Sequence, residues 1–226
     1  LVSSASFAPG ASGGESVSIF GQNLVRGVTG DVTATQLPLP NELADTSVTI
    51  AGISAPLLAV SGGNGSATQQ IHLQVPFELA GQGPLPVIVN SGGIISQPIT
   101  VSIAAGVFMA GTTQAVVTHA NYALVTSSSP AAPGEVIIVF CTGLGAVAST
   151  VTDRAAAPPS ATGTVAVPAV TIAGTRADLL YSGLTPGFAG LYQVNVRVPE
   201  GAGTGNASLG IALDGAHSQP VQIAIQ

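Results

Sequence analysis

Side-chain catalysis needs a nucleophile, a base and a group that orients the base, and few of these 226 amino acids can serve. The three histidines, His72, His119 and His217, stand apart, each in a predicted strand or turn and none inside a recognisable catalytic motif. His72 takes the polar phase of an alternating strand and is read as a plain solvent-facing side chain. Serines abound, yet none lies in a Gly-x-Ser-x-Gly nucleophile elbow. Glu15 and Glu135 are the only acids at equivalent places in the repeat described below, and pairing or turn capping accounts for them more simply than acid catalysis. Asp153, Asp178 and Asp214 are too scattered for a calcium loop, which gathers several oxygen ligands within a dozen residues. The single Cys141 can build neither a disulfide framework nor a cysteine-based zinc site and is read as a small buried apolar residue. No catalytic, metal-binding or cofactor-binding residue is assigned on these grounds. No cofactor is expected, and the chain is expected not to be an enzyme.

The charge balance narrows the remaining classes. Four Lys+Arg, all arginine, stand against ten Asp+Glu, so that 6% of residues are charged and the formal net charge is -6. An ordinary globular chain is about 25% charged. Without a basic surface there is nothing to hold a phosphate backbone, and nucleic acid is excluded as a partner. With 46% hydrophobic residues the chain has ample apolar surface to fold, unlike a disordered one. No apolar run approaches the roughly 20 residues that span a bilayer. Lysine is absent, so no Lys-to-Asn isopeptide bond can staple the fold. Abundant Ser, Thr, Val, Ala and Gly beside scarce Lys and Glu point to an extracellular or cell-surface location. The opening Leu1-Val2-Ser3-Ser4 is read as that of a mature chain whose signal peptide has been removed.

The elements that would position any site come in two copies. Gly14-Glu15-Ser16-Val17-Ser18-Ile19-Phe20 matches Gly134-Glu135-Val136-Ile137-Ile138-Val139-Phe140, and Val48-Thr49-Ile50-Ala51-Gly52 recurs identically at Val170 to Gly174. Gln70 to Pro76 answers Gln193 to Pro199, and Ser96-Gln97-Pro98 answers Ser218-Gln219-Pro220. Four anchors in one order, with offsets near 120, mark a tandem duplication. Ile71 to Val75, Val194 to Val198, Ile99 to Ile103 and Val221 to Ile225 alternate apolar with polar at period two, the signature of half-buried strands. Turn signals such as Asn90-Ser91-Gly92-Gly93 and Thr185-Pro186-Gly187 separate them, and no window suits an amphipathic helix. The expectation is an all-β chain of two tandem immunoglobulin-like β-sandwich domains, residues 1–104 and 105–226. The second copy is expected to open with a hairpin turning at Ala120-Asn121. Arg26 to Ala44 and Ser149 to Ala166 should be long loops or loosely paired edge strands.

Gly134-Glu135 through Thr142-Gly143-Leu144-Gly145, then Val170 to Gly174, Tyr181-Ser182-Gly183, the string Pro186-Gly187-Phe188-Ala189-Gly190-Leu191-Tyr192-Gln193-Val194-Asn195-Val196-Arg197-Val198-Pro199, and Gly215 to Ser218 resemble a bacterial family. It is the Solibacter-type C-terminal domain family of secreted acidobacterial proteins, matched by most of the second copy and weakly by the first. The first copy has Leu58-Ala59-Val60-Ser61-Gly62 at the tyrosine motif and lacks the Pro-Gly-Phe-Ala-Gly string. The resemblance implies an extracellular immunoglobulin-like module with no established catalytic role, and it carries over no functional residues.

A surface so poor in charge is expected to be covered by neighbours, and edge strands offer the route by β-augmentation. Leu1, Val2 and Phe7 at one end and Val221, Ile223 and Ile225 at the other are the strand-exchange candidates. The partner expected is the chain itself, joined head to tail in a fibre. A second reading takes Tyr181, Phe188 and Tyr192 as an aromatic platform of an adhesion module binding surface glycans. Asn64 and Asn206 head glycosylation-type triplets in predicted loops.

Overall fold

Residues 1–4, 13–63, 68–79, 84–101, 106–151, 155–213 and 216–226 are described in a computed structural model of the chain. Among them the backbone is all-β, with one 3-10 turn at Phe77–Leu79. In the first sheet the neighbours run β1 (Val2–Ser3), β2 (Ser16–Gly21), β8 (Gln69–Gln74), β7 (Leu57–Ser61), β3 (Asp31–Thr33). In the second, β5 (Thr46–Ile50) lies between β9 (Leu85–Ser91) and the short β4 (Glu42–Leu43) and β6 (Ile53–Ala55). The far flank of β9 carries β10 (Ile94–Ile95) and β11 (Ile99–Val101) end to end.

The third sheet places β12 (Gly106–Val107) and β15 (Val117–His119) on β16 (Val136–Thr142), followed by β21 (Tyr192–Arg197), β20 (Asp178–Leu184) and β17 (Thr162–Gly163). The fourth runs β13 (Met109–Ala110), β14 (Gln114–Ala115), β24 (Val221–Ile225), β22 (Gly205–Leu213), β18 (Ala169–Ile172), β19 (Thr175–Arg176), with β23 (Ala216–His217) also on β22. Strand pairing is antiparallel except for β14 on β24.

The period-two pattern turns one face of each strand inward. Val17, Ile19, Leu57, Ile71 and Leu73 of the first sheet meet Val48, Ile50, Val87 and Val89 of the second in one core. Ile137, Val139, Tyr192, Val194 and Val196 of the third meet Val170, Ile172, Leu209, Ile211 and Ile223 of the fourth in another.

The duplication extends to individual hydrogen bonds. Gly14, at φ 78°, donates to Val75 O, and Val75 donates back to Glu15 O. Gly134, also at φ 78°, exchanges the same two bonds through Val198 and Glu135. Ser96 Oγ accepts from Val89 N and donates to Gln97 O, as Ser218 Oγ does with Ile211 N and Gln219 O. The turns Ala51-Gly52 and Ala173-Gly174 both lie at positive φ, which two-residue hairpin turns require. A bulge interrupts the ladder between Leu57 and Ala59 and again between Leu179 and Tyr181.

Val2 pairs with Ser18 as Thr118 pairs with Ile138, which sets Leu1 level with Val117. The second copy therefore has β12, β13 and β14 ahead of that position. Its hairpin closes as expected, with Thr118 bridging Leu124 and Tyr122 N donating to His119 O. The Arg26–Ala44 and Ser149–Ala166 segments hold only the short β3, β4 and β17 among their described residues.

Candidate functional site

Two histidines do more than sequence reading allowed. His119, half-buried at the end of β15, sets Nδ1 2.5 Å from Glu135 Oε1, while Nε2 lies 3.1 Å from Ser129 Oγ and 3.2 Å from Ser129 O. Glu135 Oε2 also accepts from Ala132 N, so this acid both pairs and caps a turn. A shallow cleft of about 420 Å3 opens over His119, Asn121, Ser129 and Glu135. The connectivity Ser129, His119, Glu135 is that of an acyl-transfer triad. The hydrogen bond that His119 donates to Glu135 is the main cause of a raised His119 pKa. The Ser129 N–H is itself committed to Thr126 O and Oγ1.

His72 is half-buried rather than plainly solvent-facing. Its Nδ1 is 2.9 Å from Ser18 Oγ, which in turn meets Ser4 Oγ, and the Gln70 amide donates to its Nε2. That amide donor fixes the neutral ring with Nδ1–H toward Ser18. Burial is the main cause of its lowered pKa. The two rings therefore oppose each other in pH. His119 adds stability below its ordinary pKa near 6.5, and that increment disappears as pH rises through its raised folded value. His72 costs stability as pH falls below about 6.5, because the unfolded chain binds the proton first. Substituting His72→Asn, the residue at the same repeat position in the second copy, should flatten the acid limb of a Tm-versus-pH curve. His119→Gln should remove only the loss on the alkaline side. Identical curves for the parent and both variants would contradict these assignments. His217 is exposed on β23.

The aromatic trio does not form a platform. Tyr192 is 0% exposed in the second core, and burial pushes its hydroxyl pKa well up. Its hydroxyl donates to Gly145 O at 2.6 Å, with Gly13 O 3.4 Å away. Tyr181 donates to Thr162 O and lies 3.3 Å from Leu184 O, holding β17 against β20. Of the three only Phe188 is largely exposed, at 56%, in the turn before Gly190. The physical reason is the register of β21. Tyr192 falls on the same face as Val194 and Val196, which face the core.

Sequence reading missed the residue that does the same work in the first copy. Gln69 sits one position before Gln70, as Tyr192 sits before Gln193. Its Oε1 accepts from Leu24 N and Val25 N, and its Nε2 donates to Val25 O and Gly62 O. A half-buried amide and a buried phenol clamp the same loop, and the repeat alignment is the signal that could have found it.

A junction between the copies was also missed. Ser16 N donates to Thr142 Oγ1 at 2.9 Å, and Thr142 Oγ1 donates to Gly190 O at 3.3 Å. Phe77 packs against the second core, and Glu15 is fully buried beside it. Cys141 is buried as expected, with its thiol pKa raised chiefly by burial and further by the negative charge of Glu15.

Of the strand-exchange candidates, Val221, Ile223 and Ile225 are not available. They are buried in β24, which has β22 on one side and β14 and Ala131 on the other. Leu1 packs against the first core and Val2 already pairs with Ser18. Phe7 lies outside the described residues, as do Asn64, Asp153 and Asp214. Asn206 is exposed, but it stands in β22 rather than in a loop. Asp178 begins β20. Among the described residues no group of three or more His, Cys, Asp or Glu is placed to hold a metal, and no helix is long and apolar enough to cross a membrane.

No family model matches the chain, and no curated protein matches it. Among solved structures it is similar to an endo-fucoidan hydrolase of glycoside hydrolase family 107, at 13% identity and a TM-score of 0.17. A variant of that enzyme gives 14% identity and a TM-score of 0.19. The matches cover 96% of this chain but only 27% and 28% of those chains, so this chain spans little more than a quarter of their length.

Proposed function

We propose that this chain is a non-catalytic structural protein of the bacterial exterior, built as two tandem immunoglobulin-like β-sandwiches and assembled with further copies of itself through sheet edges into a fibre. One observation carries the reading. With 6% charged residues, the surface still presents Ile94, Ile95, Ile99, Tyr122, Leu124, Val165, Val167, Leu180 and Phe188 to solvent. Charge and mixed polarity are what keep isolated domains apart, and here both are scarce. The paired sheets and the repeated turn chemistry support the sandwich reading, and the resemblance of the second copy to secreted modules supports the location. The adhesion alternative loses its platform with Tyr192 in the core.

Sedimentation velocity over a hundredfold range of protein concentration, followed by electron microscopy, tests the reading. The sedimentation coefficient should rise with concentration and elongated particles should appear. A species that stays monomeric at millimolar concentration would end it.

A further inference from the structure

Two serines among the described residues meet a histidine, and the pairs are wired in opposite senses. In the first copy the Gln70 amide donates to His72 Nε2, so the Nδ1–H points at Ser18 Oγ and cannot draw a proton from it. Ser18 is also buried. In the second copy Glu135 Oε1 accepts from His119 Nδ1, which leaves Nε2 facing Ser129 Oγ at 3.1 Å. A neutral His119 ring therefore carries its lone pair at Nε2, within reach of the Ser129 hydroxyl proton. Ser129 is exposed, so a reagent can meet it.

The cleft of about 420 Å3 over this pair sets what that reagent can be. Ala120 and Ala123 leave room for a short acyl chain, and no arginine lines the cleft to hold an anionic one. Backbone donors for an oxyanion are scarce at the serine. Pro130 follows Ser129 and has no N–H, and the Ser129 N–H is committed to Thr126. Attack on an ordinary alkyl ester or amide leans on such donors. An ester with a good leaving group depends on them less.

We infer that Ser129 is an acyl-acceptor site, which takes a short neutral acyl group from an activated ester while His119 draws off the hydroxyl proton and Glu135 holds the ring. The inference goes beyond the assembly reading above and does not rest on it. Ser129 Oγ bonds to the acyl carbon as its proton passes to His119 Nε2. The bond from that carbon to the donor's leaving oxygen then breaks, and the departing group takes the proton back from Nε2. The product is an alkyl ester of Ser129. Its own leaving group is poor, so with few oxyanion donors at hand the acyl group stays on the chain and the reaction stops after one event.

Incubation with p-nitrophenyl acetate, followed by mass spectrometry of the whole chain and of its peptides, tests the assignment. The chain has no lysine, which keeps background acylation low. One acetyl group should be found per chain, on Ser129 and not on the exposed neighbours Ser127 and Ser128. The rate should rise with pH around a midpoint above about 6.5, because the bond to Glu135 holds the proton on His119. Arg197 also reaches this turn, but it donates to Gly134 O. Ser129→Ala should abolish the label, His119→Gln should slow it about a hundredfold, and Ser127→Ala should leave it unchanged. Glu135→Gln should slow it and also move the midpoint down toward about 6.5, which the loss of a purely structural contact would not do. Equal labelling of Ser127, Ser128 and Ser129 in the parent, or a rate independent of pH, overturns the assignment without appeal to any variant. Repeated release of p-nitrophenol by each chain, dependent on Ser129, overturns retention of the acyl group and makes the site an ester hydrolase.

Discussion

Replacing Gly14 with alanine is expected to destabilise the protein by about 3 kcal/mol, through left-handed backbone strain and overpacking together. Gly14 has φ 78°, and a Cβ there would sit 2.2 Å from a ring carbon of Phe77 and 2.6 Å from the Tyr192 hydroxyl. Neither can withdraw, because Phe77 packs on the second core and Tyr192 lies inside it. The twin position supplies the control. Gly134 has the same φ, but a Cβ there meets only the end of the flexible Glu200 side chain, at 2.8 Å. Gly134→Ala should therefore cost about 1–2 kcal/mol, the backbone strain alone. Chemical denaturation of the two variants separates the contributions. Equal losses would mean that Gly14 is not wedged between the copies.

Removing the Tyr192 side chain should cost still more, about 3–5 kcal/mol for Tyr192→Ala, as for other large aromatic truncations in a packed core. The milder Tyr192→Phe keeps the ring and loses the hydroxyl, leaving Gly145 O without its 2.6 Å donor, at about 1–2 kcal/mol. Tyr192 and Gly14 meet at the junction, so Gly14→Ala and Tyr192→Phe should combine non-additively, whereas Gly134→Ala and Tyr192→Phe should add. Calorimetry provides a second check. With the junction broken the two cores lose their coupling, and the single transition expected of the parent should split into two for Tyr192→Ala. Additive energies and an unsplit transition would show that the copies fold independently of this contact.

The sequence alone was enough to establish the strands, the duplication and the turn chemistry, because each depends on neighbours close in the chain. Period-two alternation at Ile71 to Val75 marks a half-buried strand wherever it lies. Ala51-Gly52 and Ala173-Gly174 mark the same tight turn twice, and the absence of lysine decides against an isopeptide staple without any coordinates. The inward place of Cys141 was legible in the same way, from an apolar run of strand-forming residues.

Tertiary structure decided which edges are closed, and there the reading from sequence went astray. Val221, Ile223 and Ile225 look as free as Ile99 in the linear chain, and only the return of a segment about a hundred residues earlier covers them. Tyr192 reads as a possible surface aromatic until the register of β21 sets it beside Val194 and Val196. His119 reads as isolated until the hairpin brings Ser129 and Glu135 to its two nitrogens. Local pattern determines that a strand has a buried face; which neighbour completes its edge is set by closure over long loops, and no periodicity records that.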